Sequence, residues 1–150
     1  MSGVHRFGGV LAFVLAAVTP ASAQQADPAG HVKIVSGAAF VVRQNATIAA
    51  RPGDAVFASD ILRTSAGGAV GVTLKDDTRI SLGSDSEVRI DRYVYAPGAG
   101  GLGMVLKFVK GVAVYVSGHI AKLAPDSIRL ETPSAIIGVR GTTLAIRVDS

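Results

Sequence analysis

Few residues in this chain are of a type and spacing that could do chemistry. Asp85 and Glu87 lie two apart, so a strand would turn both carboxylates to one side, the minimum for acid–base hydrolysis of a glycoside. No aromatic-rich sugar platform accompanies them. Asp76-Asp77 could touch a cation, yet neither acidic pair reproduces a calcium loop with ligands at alternating positions. They read instead as a solvated hairpin tip and as exposed strand ends. With no Cys, thiolate zinc sites, iron–sulfur clusters and cysteine nucleophiles are excluded, and His31 and His119 are too far apart in sequence to suggest a shared ion. No Gly-x-Ser-x-Gly elbow presents a serine. The expectation is therefore no enzyme, no metal site and no cofactor.

Gly98-Ala99-Gly100-Gly101-Leu102-Gly103 satisfies the phosphate-cradling Gly-x-Gly-x-x-Gly pattern. That chemistry needs the glycines between a strand and a helix, with N–H groups aimed at the anion. Here Met104–Val109 reads as a strand and no βαβ unit is visible. A flexible Gly-rich loop between two strands is the plainer reading, with Gly98 and Gly103 as its ends and as candidate contact points.

The elements that must position such residues are nearly all strands. His31–Val35 alternates, Ala38–Arg43 is a β-branched run, and Ala55–Phe57 and Ile61–Thr64 are short pieces between polar turns. Ala69–Leu74 and Thr78–Leu82 flank Lys75-Asp76-Asp77 as a tight hairpin. Glu87–Ile90, Arg92–Tyr95, Val105–Val109, Val112–Val116, Ser127–Glu131, Ser134–Ile137 and Thr143–Val148 complete about a dozen strands of roughly four to six residues. Strands this short argue against a membrane barrel, which needs about 9–11 residues per crossing. His119–Leu123 fits one helical turn before Pro125. The fold class is all-β, and periodicity leaves sandwich, roll and solenoid open.

The first 23 residues read as an export signal. Arg6 precedes the apolar run Val10–Val18, and Pro20 leads to Ala21-Ser22-Ala23, the small-x-small pattern accepted at cleavage. The run falls well short of the about 20 apolar residues that span a bilayer. Three segments are expected: a signal peptide at 1–23, a flexible lead-in at 24–30 and one all-β domain at 31–150. The cleaved chain is expected to be periplasmic or secreted and not membrane-spanning. Its formal charge, +4 before Arg6 is lost, is mild and spread along the chain. A nucleic-acid binder would want a clustered basic stripe with aromatic platforms, so nucleic acid is not an expected partner.

Four segments in order carry a family likeness. Pro52-Gly53-Asp54-Ala55-Val56 supplies a Gly-Asp turn, and Ser59-Asp60-Ile61-Leu62-Arg63-Thr64 an Asp-x-apolar-apolar-Arg-Thr stretch. Leu74–Gly83 gives strand, turn and strand around a central Asp. Thr132-Pro133, a small apolar stretch and Arg140-Gly141-Thr142 lead into the last strand. Together they resemble the FecR domain over about Gly30–Val148. Arg140, between Gly138 and Gly141, presents a guanidinium for which Asp54 or Asp60 is the expected carboxylate, as a fold-fixing pair or, less simply, a partner contact.

The resemblance implies a compact, solenoid-like β architecture. It also implies a role in signal transduction across the envelope of Gram-negative bacteria, where such proteins relay the state of an outer-membrane receptor inward. Without a cytoplasmic domain or retained membrane helix, this chain looks like the stand-alone exported form. The expectation is a non-enzymatic sensory or adaptor module that binds another envelope protein. The alternative is a structural component that binds peptidoglycan or another cell-wall polymer.

Overall fold

A computed structural model describes residues 26–141 and 143–149, together with Gly3, Gly8 and Gly9. Apart from those three glycines, the signal peptide expected over 1–23 lies outside the described residues. The strands are β1 (Gly30–Ser36), β2 (Ala39–Arg43), β3 (Ala46–Ala49), β4 (Ala55–Val56), β5 (Ile61–Thr64), β6 (Ala69–Leu74), β7 (Arg79–Leu82), β8 (Glu87–Ala96) and β9 (Gly101–Val116). A one-turn helix α1 (His119–Leu123) precedes β10 (Ile128–Glu131), β11 (Ile136–Ile137) and β12 (Thr143–Val148). The all-β expectation holds, and the sheet is a curled half-barrel. Every ladder is antiparallel except that between β9 and β10.

The topology is simplest as long ribbons folded over one corner. Strands β1, β6 and β7 pair in series up to the C-terminal part of β9, with β4 and β12 on the flanks. Strands β2, β5 and β8 pair in series up to its N-terminal part, flanked by β3 and by β10 with β11. The chain passes between these halves at Gly37-Ala38, Ser65–Gly68, Gly83–Ser86 and Gly111, and the crossings lie side by side. Ser65 N–H donates to Ala38 O at 3.1 Å, Asp85 N–H to Ser65 O at 3.2 Å, and Gly83 N–H to Val112 O at 2.9 Å.

Two side chains fasten this corner. Thr64 Oγ1 donates to Gly83 O at 2.6 Å and accepts from Ser86 N–H at 2.9 Å. Ser86 Oγ accepts from Val112 N–H at 2.8 Å. Both residues are buried, so these bonds replace water that the turn backbone would otherwise need. At the crossing of β9, Gly111 has φ +83°, and a Cβ there would collide with Ser86 Oγ and the Asp85 carbonyl. Only glycine fits.

Inside the fold, alternate residues meet in one core that includes Val32, Leu62, Val72, Ile80, Ile90, Leu106, Phe108, Tyr115 and Leu130. Helix α1 seats Ile120, fully buried, against it.

Several expectations need correction. The segments read as Glu87–Ile90 and Arg92–Tyr95 are one strand of 10 residues, and those flanking Gly111 are one strand of 16. Bulges explain the misreading. The register of β8 against β9 shifts between Ile90 and Arg92, and inward positions change from Leu106 and Phe108 to Ala113 and Tyr115. The length argument against membrane strands therefore does not apply to β8 and β9. Strand β3 was not expected; it pairs with β2 through a tight turn in which Gln44 and Asn45 both have positive φ. The Gly98–Gly103 loop is a four-residue turn. Pro97–Ala99 forms one turn of 3₁₀ helix, Gly100 has φ +72°, and Gly101–Gly103 already belongs to β9.

Candidate functional site

Asp60 is 1% exposed at the end of the β4–β5 connection, where a bare carboxylate would be costly. Its oxygens are fully engaged. Arg43, the last residue of β2, donates Nε–H to Oδ1 at 2.9 Å and Nη2–H to Oδ2 at 2.7 Å, and Phe57 N–H donates to Oδ2 at 2.8 Å. The guanidinium also lies 4.6 Å from the Phe57 ring centroid and donates to Ala55 O. The Asp60 hydrogen bonds raise the Arg43 pKa above its ordinary value, against the opposing effect of partial burial. This bidentate clamp ties β2 to the β4–β5 connection.

The expected partner of Arg140 was Asp54 or Asp60, and the structure corrects this. Arg140 is exposed and beside Pro125, Asp126, Ile128, Gly138 and Val139, and among the described residues it makes no ion pair. Asp54 does not reach it either; its carboxylate accepts Arg51 N–H at 2.8 Å and so closes its own turn. Arg63 faces outward from β5 and pairs with Glu87 of β8 at 3.0 Å, a cross-strand contact with both side chains partly exposed. Gly98 sits in open space in its turn, whereas Gly103 is buried beneath the Arg92 guanidinium.

Asp76 was read as a solvated hairpin tip, and it is fully buried. Its Oδ2 accepts from Thr78 Oγ1 at 2.7 Å and from Ile120 N–H at 3.2 Å, and its Oδ1 accepts from Tyr93 Oη at 2.9 Å. Its carbonyl accepts His119 N–H at 2.7 Å. One aspartate therefore caps the start of α1 and joins the β6–β7 turn to β8. The Asp76 N–H also donates to Tyr93 Oη at 2.9 Å, so that hydroxyl both gives and receives. Burial, and then the Asp76 carboxylate, push the Tyr93 pKa well above the ordinary tyrosine range. Burial raises that of Tyr115 too, and among the described residues its hydroxyl has no hydrogen-bond partner. The sequence marked a central Asp in the Leu74–Gly83 motif without separating Asp76 from Asp77, and composition gave no signal.

The two outer faces of the half-barrel differ. On one, Arg63–Glu87 pairs alongside Lys110, and the next row runs Ile61, Arg89, Lys107 and Glu131. That is a solvated, charge-rich surface with a basic excess. On the other, Ile34, Gly71, Ser81, Val114 and Ala145 stand in register across five strands without a charge. Ile34 is 68% exposed there, and Val112 and Val114 also face solvent. Among the described residues no group of three or more His, Asp or Glu is placed to hold a metal ion. The arrangement offers, among the described residues, one ion pair with a buried carboxylate, Arg43–Asp60, and an outer face whose middle row is uncharged while the rows beside it carry the exposed Arg79 and Arg147.

The family model described as FecR protein matches residues 60–150. The match covers more than half of the sequence, and the chain belongs to the FecR family. No curated protein and no solved structure matches it.

Proposed function

We propose that this chain is a non-enzymatic FecR-domain protein of the periplasm, acting as a sensory or adaptor module that binds another envelope protein through the uncharged middle row of the β1–β6–β7–β9–β12 outer face. The observation that carries the reading is the row Ile34–Gly71–Ser81–Val114–Ala145, set against the charge-laced face on the other half. Exposed apolar surface on an extracytoplasmic domain with polar surroundings marks an interaction site. The family's association with signal transduction supports the same reading. Export rests on the leader pattern at 1–23.

The test is a photoreactive residue placed in cells at Val114, with Arg89 on the opposite half as control. Crosslinking of one envelope protein from position 114 and not from 89 is the expected result. Recovery of cell-wall fragments from both positions would replace the adaptor with the polymer-binding role.

A further inference from the structure

Strand β12 pairs with β9 alone, and among the described residues nothing pairs with its other side. Among the described residues the other edges are short, interrupted or bulged: β3 and β4 are separated by residues 50–54, β11 has two residues close after Pro133, and β1 and β8 are open on one side only beyond their bulges at Val32–Ile34 and Ile90–Arg92. Proteins protect sheet edges by breaks and bulges of this kind, and β12 has neither; Arg147 is its one charged residue. It runs for six residues in unbroken register with β9, from Thr143 opposite Val116 to Val148 opposite Gly111.

Which groups point outward follows from the corner. Val112 accepts from Gly83 N–H and donates its own N–H to Ser86 Oγ, so its backbone faces away from β12. Its opposite number, Arg147, then has its N–H and C=O turned outward, and antiparallel alternation does the same for Ala145 and Thr143. Leu144, Ile146 and Val148 project inward, and Leu144 and Val148 are only partly covered at the edge.

We infer that β12 pairs with β12 of a second copy across a two-fold axis, extending the sheet from one molecule into the next. Residues directly opposite in an antiparallel pair share a face, which limits the register. Centred on Ala145, each Ala145 faces its own mate, Thr143 faces Arg147 of the second copy, and Leu144 faces Ile146. All three outward-turned residues then hydrogen-bond, and no like charges oppose each other. Centring on Ile146 keeps the faces matched but leaves Thr143 outside the pairing of the two strands. The edge is thus complementary to itself, as a two-fold interface must be. This inference does not rest on the adaptor reading, because it concerns the purified chain alone.

The chain has no cysteine, so Ala145→Cys is a clean reporter. Mild oxidation is expected to link Ala145→Cys as a symmetric dimer, since facing Cα atoms in a ladder lie within disulfide reach, while Ser81→Cys in mid-sheet remains monomeric. Sedimentation of the unmodified protein should show a dimer. Ala145→Pro removes an N–H that the β9 ladder does not use, so it should weaken the dimer at least tenfold while retaining native circular dichroism. Should that variant misfold, Ala145→Lys sets two ammonium groups face to face and is expected to weaken the dimer likewise. A monomer at about 100 μM, the range of weak association, would overturn the inference. So would a dimer of unchanged affinity in the folded Pro or Lys variant.

Discussion

Asp60 and Asp76 carry more of this structure than their count suggests, because each is a buried carboxylate whose oxygens are all engaged. Replacing Arg43 with Leu leaves Asp60 buried with one remaining donor, and should cost about 2–3 kcal/mol in a urea titration. Arg63→Leu, which removes a partly exposed pair, should cost less than about 1 kcal/mol by the same titration. Tyr93 gives a pH signature. Its folded pKa is raised, so in alkali the folded chain holds a proton that the unfolded chain releases. Stability should therefore fall as pH rises through about 10, the ordinary tyrosine value, and urea midpoints in Tyr93→Phe should fall less steeply. Asp60 was legible as a site residue from its motif. Its partner was not, because Arg43 lies 17 positions upstream with nothing in the sequence to mark it. Arg140 had the stronger local signature, two bracketing glycines, and remains outside.

At the scale of elements, glycines separate strand corners from turns. Gly111→Ala combines a positive φ with a collision against backbone and Ser86, and should lower stability by more than about 2 kcal/mol or prevent folding. Gly98→Ala adds a methyl group in open space within a turn and should stay within about 0.5 kcal/mol. Denaturant midpoints of the pair check both. Alternation located β5, β6 and β12 at their observed bounds because each faces the core on one side throughout. It divided β8 and β9 because a bulge moves the inward position by one, which in a linear pattern looks like an ending. It missed β3, whose four residues are all exposed and leave no periodic trace.

At the scale of the molecule, the family match begins at Asp60, whereas the folded unit begins earlier. Ribbon β1–β2 covers β5 and β6 on their outer side and supplies Arg43 to Asp60. A chain trimmed to residues 60–150 should therefore fail to fold cooperatively, whereas residues 26–150 should give one sharp transition by circular dichroism. The all-β class was visible from the spacing of short apolar runs. The folding of the sheet over one corner was not, because it depends on contacts such as Thr64 with Gly83 and Ser86 with Val112, far apart in the chain.

The corner also sets how the molecule can change length during evolution. A single inserted residue inside a strand reverses which side chains face the core, but β9 already absorbs one such reversal between Phe108 and Ala113. An insertion at the exposed Pro97–Gly100 turn displaces nothing downstream. One between Phe108 and Gly111 would either carry the glycine away from Ser86 or turn Tyr115 to solvent. Tolerated insertions should therefore collect at the hairpin tips, leaving the crossings constant in length.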